Sequence, residues 1–156
     1  MLKLKLKNES KTLLLGSAIG ETIKNLNSRN FEVHLKGNLG AGKTTLVRGI
    51  LQNLNWADVV TSPSYTLCEE YEIDGRLFLH VDLYRINSIE DVEVLDLDRD
   101  IVMQKIILIE WPENLLTERS VDVIIDLEHD NQTRHASIEC LDSNIKSNIK
   151  AYYENN

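Results

Sequence analysis

Gly37-Asn38-Leu39-Gly40-Ala41-Gly42-Lys43-Thr44 decides the fold of this chain. It satisfies G-x-x-x-x-G-K-[ST], and each position has a physical reason. Glycines at 37, 40 and 42 let the backbone curl around an anion with no Cβ in the way. Successive N–H groups then face inward as a nest. A helix starting near Lys43 adds the positive end of its dipole. In such a loop Lys43 reaches the β- and γ-phosphates of a nucleotide, and the Thr44 hydroxyl can ligate Mg²⁺.

The flanks agree with the loop. Phe31-Glu32-Val33-His34-Leu35-Lys36 reads as a strand, and Thr44 to Leu54 as a helix. Leu2, Leu4 and Leu6 alternate with lysines, which predicts an edge strand with one face in the core. Leu13 to Leu26 keeps helical spacing, with Ser10 or Thr12 as the expected cap. Tyr65–Ile73 and Leu77–Leu83 read as strands joined by an Asp74-Gly75 hairpin turn. Ser88 caps a short acidic helix to about Leu95. Ile106-Ile107-Leu108-Ile109 is a continuous apolar run, suited to a central parallel strand covered on both faces. Val121–Leu127 and Ala136–Leu141 are further strands. This order predicts an α/β fold with a mainly parallel central sheet and antiparallel additions. Residues 1–142 read as one domain and 143–156 as a polar tail, either a short helix or frayed.

Composition bounds the rest. The chain has 156 residues, 42% hydrophobic and 27% charged, which suits one globular domain. Its net charge of −8 argues against holding nucleic acid by bulk electrostatics, so no direct stable nucleic-acid binding is expected. Cys68 and Cys140 fit no metal or redox spacing and read as free thiols. No apolar run approaches a membrane span, and the N-terminus has no signal-peptide pattern. The expectation is a cytoplasmic protein.

A magnesium site needs a second arm beside Thr44. Glu110, ending the apolar run, is the best candidate; the alternative is a solvated carboxylate at a strand end. Asp82 ends Phe78-Leu79-His80-Val81. It either shares the metal shell, orients an attacking water, or pairs with Arg85 on the surface. Thr61 and Ser62 read either as a γ-phosphate sensor or as a Ser-Pro turn. Trp111 reads as packing at a strand end and His80 as a structural histidine. Lys43 is expected to be exposed when no nucleotide is bound, and Arg48 to point away from the nucleotide.

Four ordered blocks then resemble the bacterial TsaE (YjeE) family. They are Gly37 to Gly49, Thr61-Ser62-Pro63-Ser64-Tyr65-Thr66-Leu67, His80-Val81-Asp82-Leu83-Tyr84-Arg85 and Ile109-Glu110-Trp111-Pro112-Glu113. The likeness runs from about Glu9 to about Glu128. It departs at Asn38, where the family usually has Asp, and at Ser64-Tyr65, where Thr-Phe is usual; neither removes a phosphate or metal ligand.

The resemblance implies a P-loop NTPase-like three-layer fold and a small Mg-dependent ATPase. That ATPase is needed to make threonylcarbamoyladenosine in tRNAs reading codons that start with A, and it acts on the TsaB–TsaD complex. By the same likeness ATP contacts Gly37, Asn38, Leu39, Gly40, Ala41, Gly42, Lys43, Thr44 and Thr45. Thr44 and Glu110 hold Mg²⁺. Lys43, Asp82 and Glu110 are the catalytic set, Trp111 is required, and the segment around Glu9 and Thr12 meets the adenine. Two other classes share the loop. A small-molecule kinase needs an Arg-rich lid, yet Asp58 to Asp100 holds only Arg76, Arg85 and Arg99. A GTPase of the usual type needs N-K-x-D, which is not in this sequence.

Overall fold

The computed structural model describes residues 1–156. The chain runs β1 (Leu2–Leu6), α1 (Glu9–Lys24), β2 (Asn30–Lys36), α2 (Lys43–Asn53), β3 (Cys68–Ile73), β4 (Arg76–Asp82) and α3 (Ile89–Glu93). It continues through β5 (Gln104–Glu110), β6 (Val123–His129), β7 (Arg134–Cys140) and α4 (Ser143–Asn155). The strands form one sheet in the order β1-β7-β6-β2-β5-β4-β3. The central β6, β2, β5 and β4 are parallel. β1 and β7 add antiparallel pairs at one side, and β3 at the other. The mixed α/β sheet is therefore as the sequence predicts.

β5 shows why a continuous apolar run belongs at the centre. Ile106 and Leu108 join the larger core with α1, α2 and α4, while Ile107 and Ile109 join the smaller core on the other face. Alternate side chains leave opposite faces, so both faces must be covered. The smaller face has a thin cover, the five-residue α3 and irregular segments carrying Ile86, Leu95, Met103 and Leu115.

Some local expectations shift. Helix α1 is capped by Asn8, whose side chain accepts from the Lys11 N–H at 3.0 Å, and not by Ser10 or Thr12. β3 starts at Cys68, not Tyr65. The Leu67 N–H closes a turn onto the Pro63 carbonyl at 2.7 Å, with Leu67 at φ 65°. Residues 143–156 carry helix α4, which buries Ile145 and Ile149 in the larger core. The hairpin turn at Asp74-Gly75 and the Ser88 cap are as read.

Helix α1 reaches the sheet's loop end by crossing α2 at backbone distance. A Cβ on Gly16 would lie 2.5 Å from the Leu46 carbonyl oxygen, and one on Gly49 would lie 2.5 Å from that of Leu13. Alanine is about 1 kcal/mol better than glycine inside a helix. Overpacking costs about 1–3 kcal/mol, and here the obstacle is backbone, which cannot rotate aside. Gly49→Ala is therefore expected to lower the melting temperature, by about 2–4 °C per kcal/mol lost. A variant as stable as the parent would show that the helices separate freely.

The other end of the sheet holds a buried ion network beside a cavity of about 440 Å³. Arg119 Nε and Nη2 donate to the two oxygens of Glu32 at 2.9 and 2.8 Å, and its Nη1 and Nη2 donate to Asp98. His34 Nε2 lies 2.7 Å from Glu32 Oε1. Burial alone would push the Glu32 carboxyl up; the bonds from His34 and Arg119 outweigh it and hold it below the usual range. Asp98 is held low by its bond from Arg119. Depressed carboxyls stabilise the fold above their unfolded pKa of about 4, and that contribution is lost as pH falls through the folded values. Removing one partner of a buried pair costs about 3–5 kcal/mol. Arg119→Leu is expected to melt well below the parent at pH 7, with the gap narrowing as pH falls below about 4. Melts between pH 7 and 3 decide it; a constant gap would mean no acid-linked stability resides here.

Candidate functional site

Three adjacent parallel strands end together. β2 runs into the phosphate loop, β4 ends in Asp82 and β5 in Glu110. The register sets Glu110 beside both Leu35 and Asp82. The strands' carboxyl ends therefore open on one cavity of about 550 Å³, which is where ligands sit in open α/β sheets.

The loop has the backbone its glycines predict, with φ of 138° at Gly37, 78° at Gly40 and 108° at Gly42. Helix α2 starts at Lys43 with no side-chain cap and no acidic residue in its first turn. Its first N–H groups thus lack intrahelical acceptors, and its dipole end is unanswered. Such a helix start is complementary to an anion.

Lys43 is not exposed, contrary to expectation; only 5% of it reaches solvent. Its Nζ donates to the carbonyls of Gly37 and Asn38, the latter at 3.0 Å. It also sits 4.2 Å from the centroid of the Trp111 ring. Burial pushes its pKa down, against the opposing pull of the Glu110, Glu113 and Asp82 carboxylates. Trp111 itself adopts a left-handed backbone, φ 59°. That is an outlier for a bulky residue, and such strain gathers at ligand sites. Tyr84 packs on it at 4.9 Å.

Thr44 Oγ1 donates to Glu110 Oε1 at 2.9 Å, so the two expected metal arms meet. Mg²⁺ takes octahedral ligands at about 2.0–2.1 Å, which puts neighbouring ligand oxygens about 2.9 Å apart. The donor set fits. The chain gathers no group of three His, Cys, Asp or Glu that could hold a metal, and Mg²⁺ usually takes one or two protein oxygens beside phosphate and water. Asp82 does not pair with Arg85. Its Oδ2 accepts from Ser62 Oγ at 2.6 Å and its Oδ1 from the Tyr84 N–H at 2.9 Å. The Arg85 guanidinium lies over the Tyr65 ring at 4.8 Å.

Of the residues singled out in the sequence, Glu9, Leu39 to Thr45, Ser62, Asp82, Glu110 and Trp111 line the cavity, and Thr61 does not. Gly37, Asn38 and Thr12 do not. Gly37 and Asn38 turn their carbonyls to Lys43, and Thr12 is fully buried behind Gly42 with its hydroxyl unpartnered. Arg48 is not itself in the lining, but it pairs at 3.6 Å with Glu9, which is. Ser64, Tyr84, Arg85 and Arg134 line it too. Arg134 could not be found from the sequence, because only the pairing of β7 with β6 carries it to the loop, 3.5 Å from where a Gly42 Cβ would stand.

Fold and cavity together define an α/β protein of the P-loop class. Residues 6–137 match the family model described as "Threonylcarbamoyl adenosine biosynthesis protein TsaE". A protein named "tRNA threonylcarbamoyladenosine biosynthesis protein TsaE" from Haemophilus influenzae is 34% identical, covering 95% of this chain and 94% of that one. Proteins of the same name from Nostoc sp. and Aquifex aeolicus are 37% and 31% identical, covering 88% and 79% of this chain and 85% and 84% of theirs. The chain belongs to the TsaE family. A solved structure, "Crystal structure of Bacillus subtilus YdiB", superposes with a TM-score of 0.67 over 99% of this chain and 95% of that chain; at 20% identity it speaks for the fold alone. No helix is long and apolar enough to cross a membrane.

Proposed function

We propose that this chain binds and hydrolyses ATP with Mg²⁺ as an accessory subunit of tRNA threonylcarbamoyladenosine synthesis, acting on the TsaB–TsaD complex. The observation that carries the chemistry is the Thr44–Glu110 contact at the mouth of an uncapped, lysine-bearing phosphate loop. The pathway rests on family membership.

In this reading the N–H groups at the start of α2 and the Lys43 ammonium hold the β- and γ-phosphates. Lys43 exchanges its Gly37 and Asn38 carbonyls for phosphate oxygens and gains a better acceptor. Thr44 and Glu110 would hold Mg²⁺, which supplies charge neutralisation at the phosphate oxygens. Asp82 holds the Ser62 hydroxyl at the cavity, from where the hydroxyl can turn its one O–H from Asp82 to a terminal phosphate. Trp111 closes one side of the loop, and Arg134 offers a guanidinium to the nucleotide from the other.

The test is nucleotide binding and phosphate release across a Mg²⁺ titration, with ATP and GTP compared. Glu110→Gln keeps the size and loses the charge a hard cation prefers. It is expected to raise the Mg²⁺ requirement more than it weakens nucleotide binding in chelator. If Glu110→Gln hydrolyses ATP normally at limiting Mg²⁺, the metal arm lies elsewhere.

A further inference from the structure

His80 is used by none of the steps above, yet it stands directly beneath them. It is wholly buried on β4, and its Nε2 lies 2.8 Å from Glu110 Oε1. A carboxylate only accepts, so Nε2 carries the proton. Nδ1 is buried too and has no partner. A purely structural histidine at this depth would be expected to satisfy both nitrogens, since buried polar groups nearly always are. Here one nitrogen is left unsatisfied while the other is spent on Glu110.

The pattern at Glu110 gives that bond a purpose. Thr44 Oγ1 and His80 Nε2 both donate to Oε1, and neither donates to Oε2. Two donors on one oxygen pin the carboxylate, with Oε1 held beside the Thr44 oxygen at the 2.9 Å spacing that two ligands of one cation would keep. The Thr44 bond is temporary, because a threonine drawn to a cation turns its lone pairs that way. The His80 bond is not. The imidazole sits on a strand paired on both sides, with register partners Leu108 on β5 and Glu69 on β3, and cannot follow the loop.

We propose that His80 is a positioning residue that sets the cation affinity of the site by holding Glu110 Oε1 from below. The inference rests on the nucleotide reading above and concerns how tightly the divalent ion is held. Partners that orient a metal-binding side chain are typically worth about 10–100-fold in metal affinity.

The experiment measures Mn²⁺, a spectroscopically visible stand-in for Mg²⁺, binding to the folded chain saturated with ADP, and separately ADP binding in chelator. His80→Met removes the donor at similar length; it is expected to weaken Mn²⁺ by about 10–100-fold and leave ADP affinity in chelator unchanged. His80→Gln can place an amide N–H where Nε2 stands and is expected to recover most of the loss. His80→Asn is a methylene shorter, falls short of Glu110, and is expected to behave like His80→Met. Thermal melts establish that each variant is folded, and should His80→Met fail to fold, the Gln and Asn pair carries the same comparison. Equal Mn²⁺ affinity in Gln and Asn variants, or a His80→Met variant that binds Mn²⁺ like the parent, overturns the proposal. A parent chain that takes up no Mn²⁺ with ADP overturns the nucleotide reading itself, a result distinct from either.

Discussion

Lys43→Ala is expected to abolish ATP hydrolysis and weaken nucleotide binding while the protein stays folded. Charge-assisted hydrogen bonds are worth about 1.5–3 kcal/mol each, and losing one such contact to phosphate is a loss of roughly 10–150-fold in affinity. The folded state loses less. Lys43 bonds the Gly37 and Asn38 carbonyls and lies over Trp111. It is also buried, and burial pushes its pKa down, so removing it relieves a desolvated charge as well as breaking contacts. These effects oppose each other, and a melting shift of a few degrees is expected, not collapse. Loop carbonyls also compete with nucleotide for the ammonium. The measured difference in ATP affinity therefore understates the phosphate contact. Phosphate release and ATP binding, beside a thermal melt, check the prediction. Unchanged hydrolysis in a folded Lys43→Ala variant would remove the phosphate loop from the mechanism.

The parts of this site carried by local rules were legible in the sequence. Glycine spacing gave the loop because left-handed backbone at Gly40 and Gly42 is a local demand. Glu110 was legible because a buried parallel strand reads as an unbroken apolar run, and its first polar residue marks the strand's exit. The parts carried by register were not. Arg134 reaches the loop through the β6–β7 pairing, and nothing near it in sequence signals that. Spacing alone puts both Arg85 and the site within reach of Asp82. The structure gives it to Ser62 and the Tyr84 N–H instead. The sequence predicts an exposed Lys43 because a long charged side chain is exposed by default. Two carbonyls and an indole face, gathered from the loop and from the end of β5, are what bury it. The polar tail at 143–156, readable as a short helix or as frayed, is a packed helix for a related reason. Ile145 and Ile149 are a narrow apolar stripe, enough to dock on a neighbour already in place and too little to announce a helix alone.

The isolated chain is expected to hydrolyse ATP slowly and to turn over faster with the TsaB–TsaD pair. Fast hydrolysis needs the attacking water fixed, bulk water excluded and the developing charge met by a cation. Polar groups are well supplied, with Lys43, Thr44, Glu110, Asp82 and Ser62 around one cavity. Its cover is not. Tyr65, in the loop whose Ser62 and Ser64 line the cavity, is 84% exposed, and Leu39 in the glycine-rich loop is 67% exposed. Apolar side chains left in solvent beside a nucleotide site suit burial under a docked partner better than a self-sufficient enzyme. The competing account is Arg85, which lines the cavity, pairs with no carboxylate and rests on Tyr65. An arginine acting within the same chain supports about 10⁻² turnovers per second in a P-loop GTPase, while one without it manages about 10⁻⁴–10⁻³. Arginine supplied by a partner adds about 10³–10⁵. Steady-state phosphate release by the parent and by Arg85→Ala, each with and without the pair, separates the accounts. If Arg85 is the cation, Arg85→Ala loses most of the rate in both settings and the partner's effect is to seat Arg85. If the partner supplies the cation, Arg85→Ala is slow alone to the same degree as the parent and is still accelerated. Turnover of many per second by the parent alone, indifferent to the pair, would show the site complete in one molecule and the exposed Tyr65 and Leu39 without a role in it.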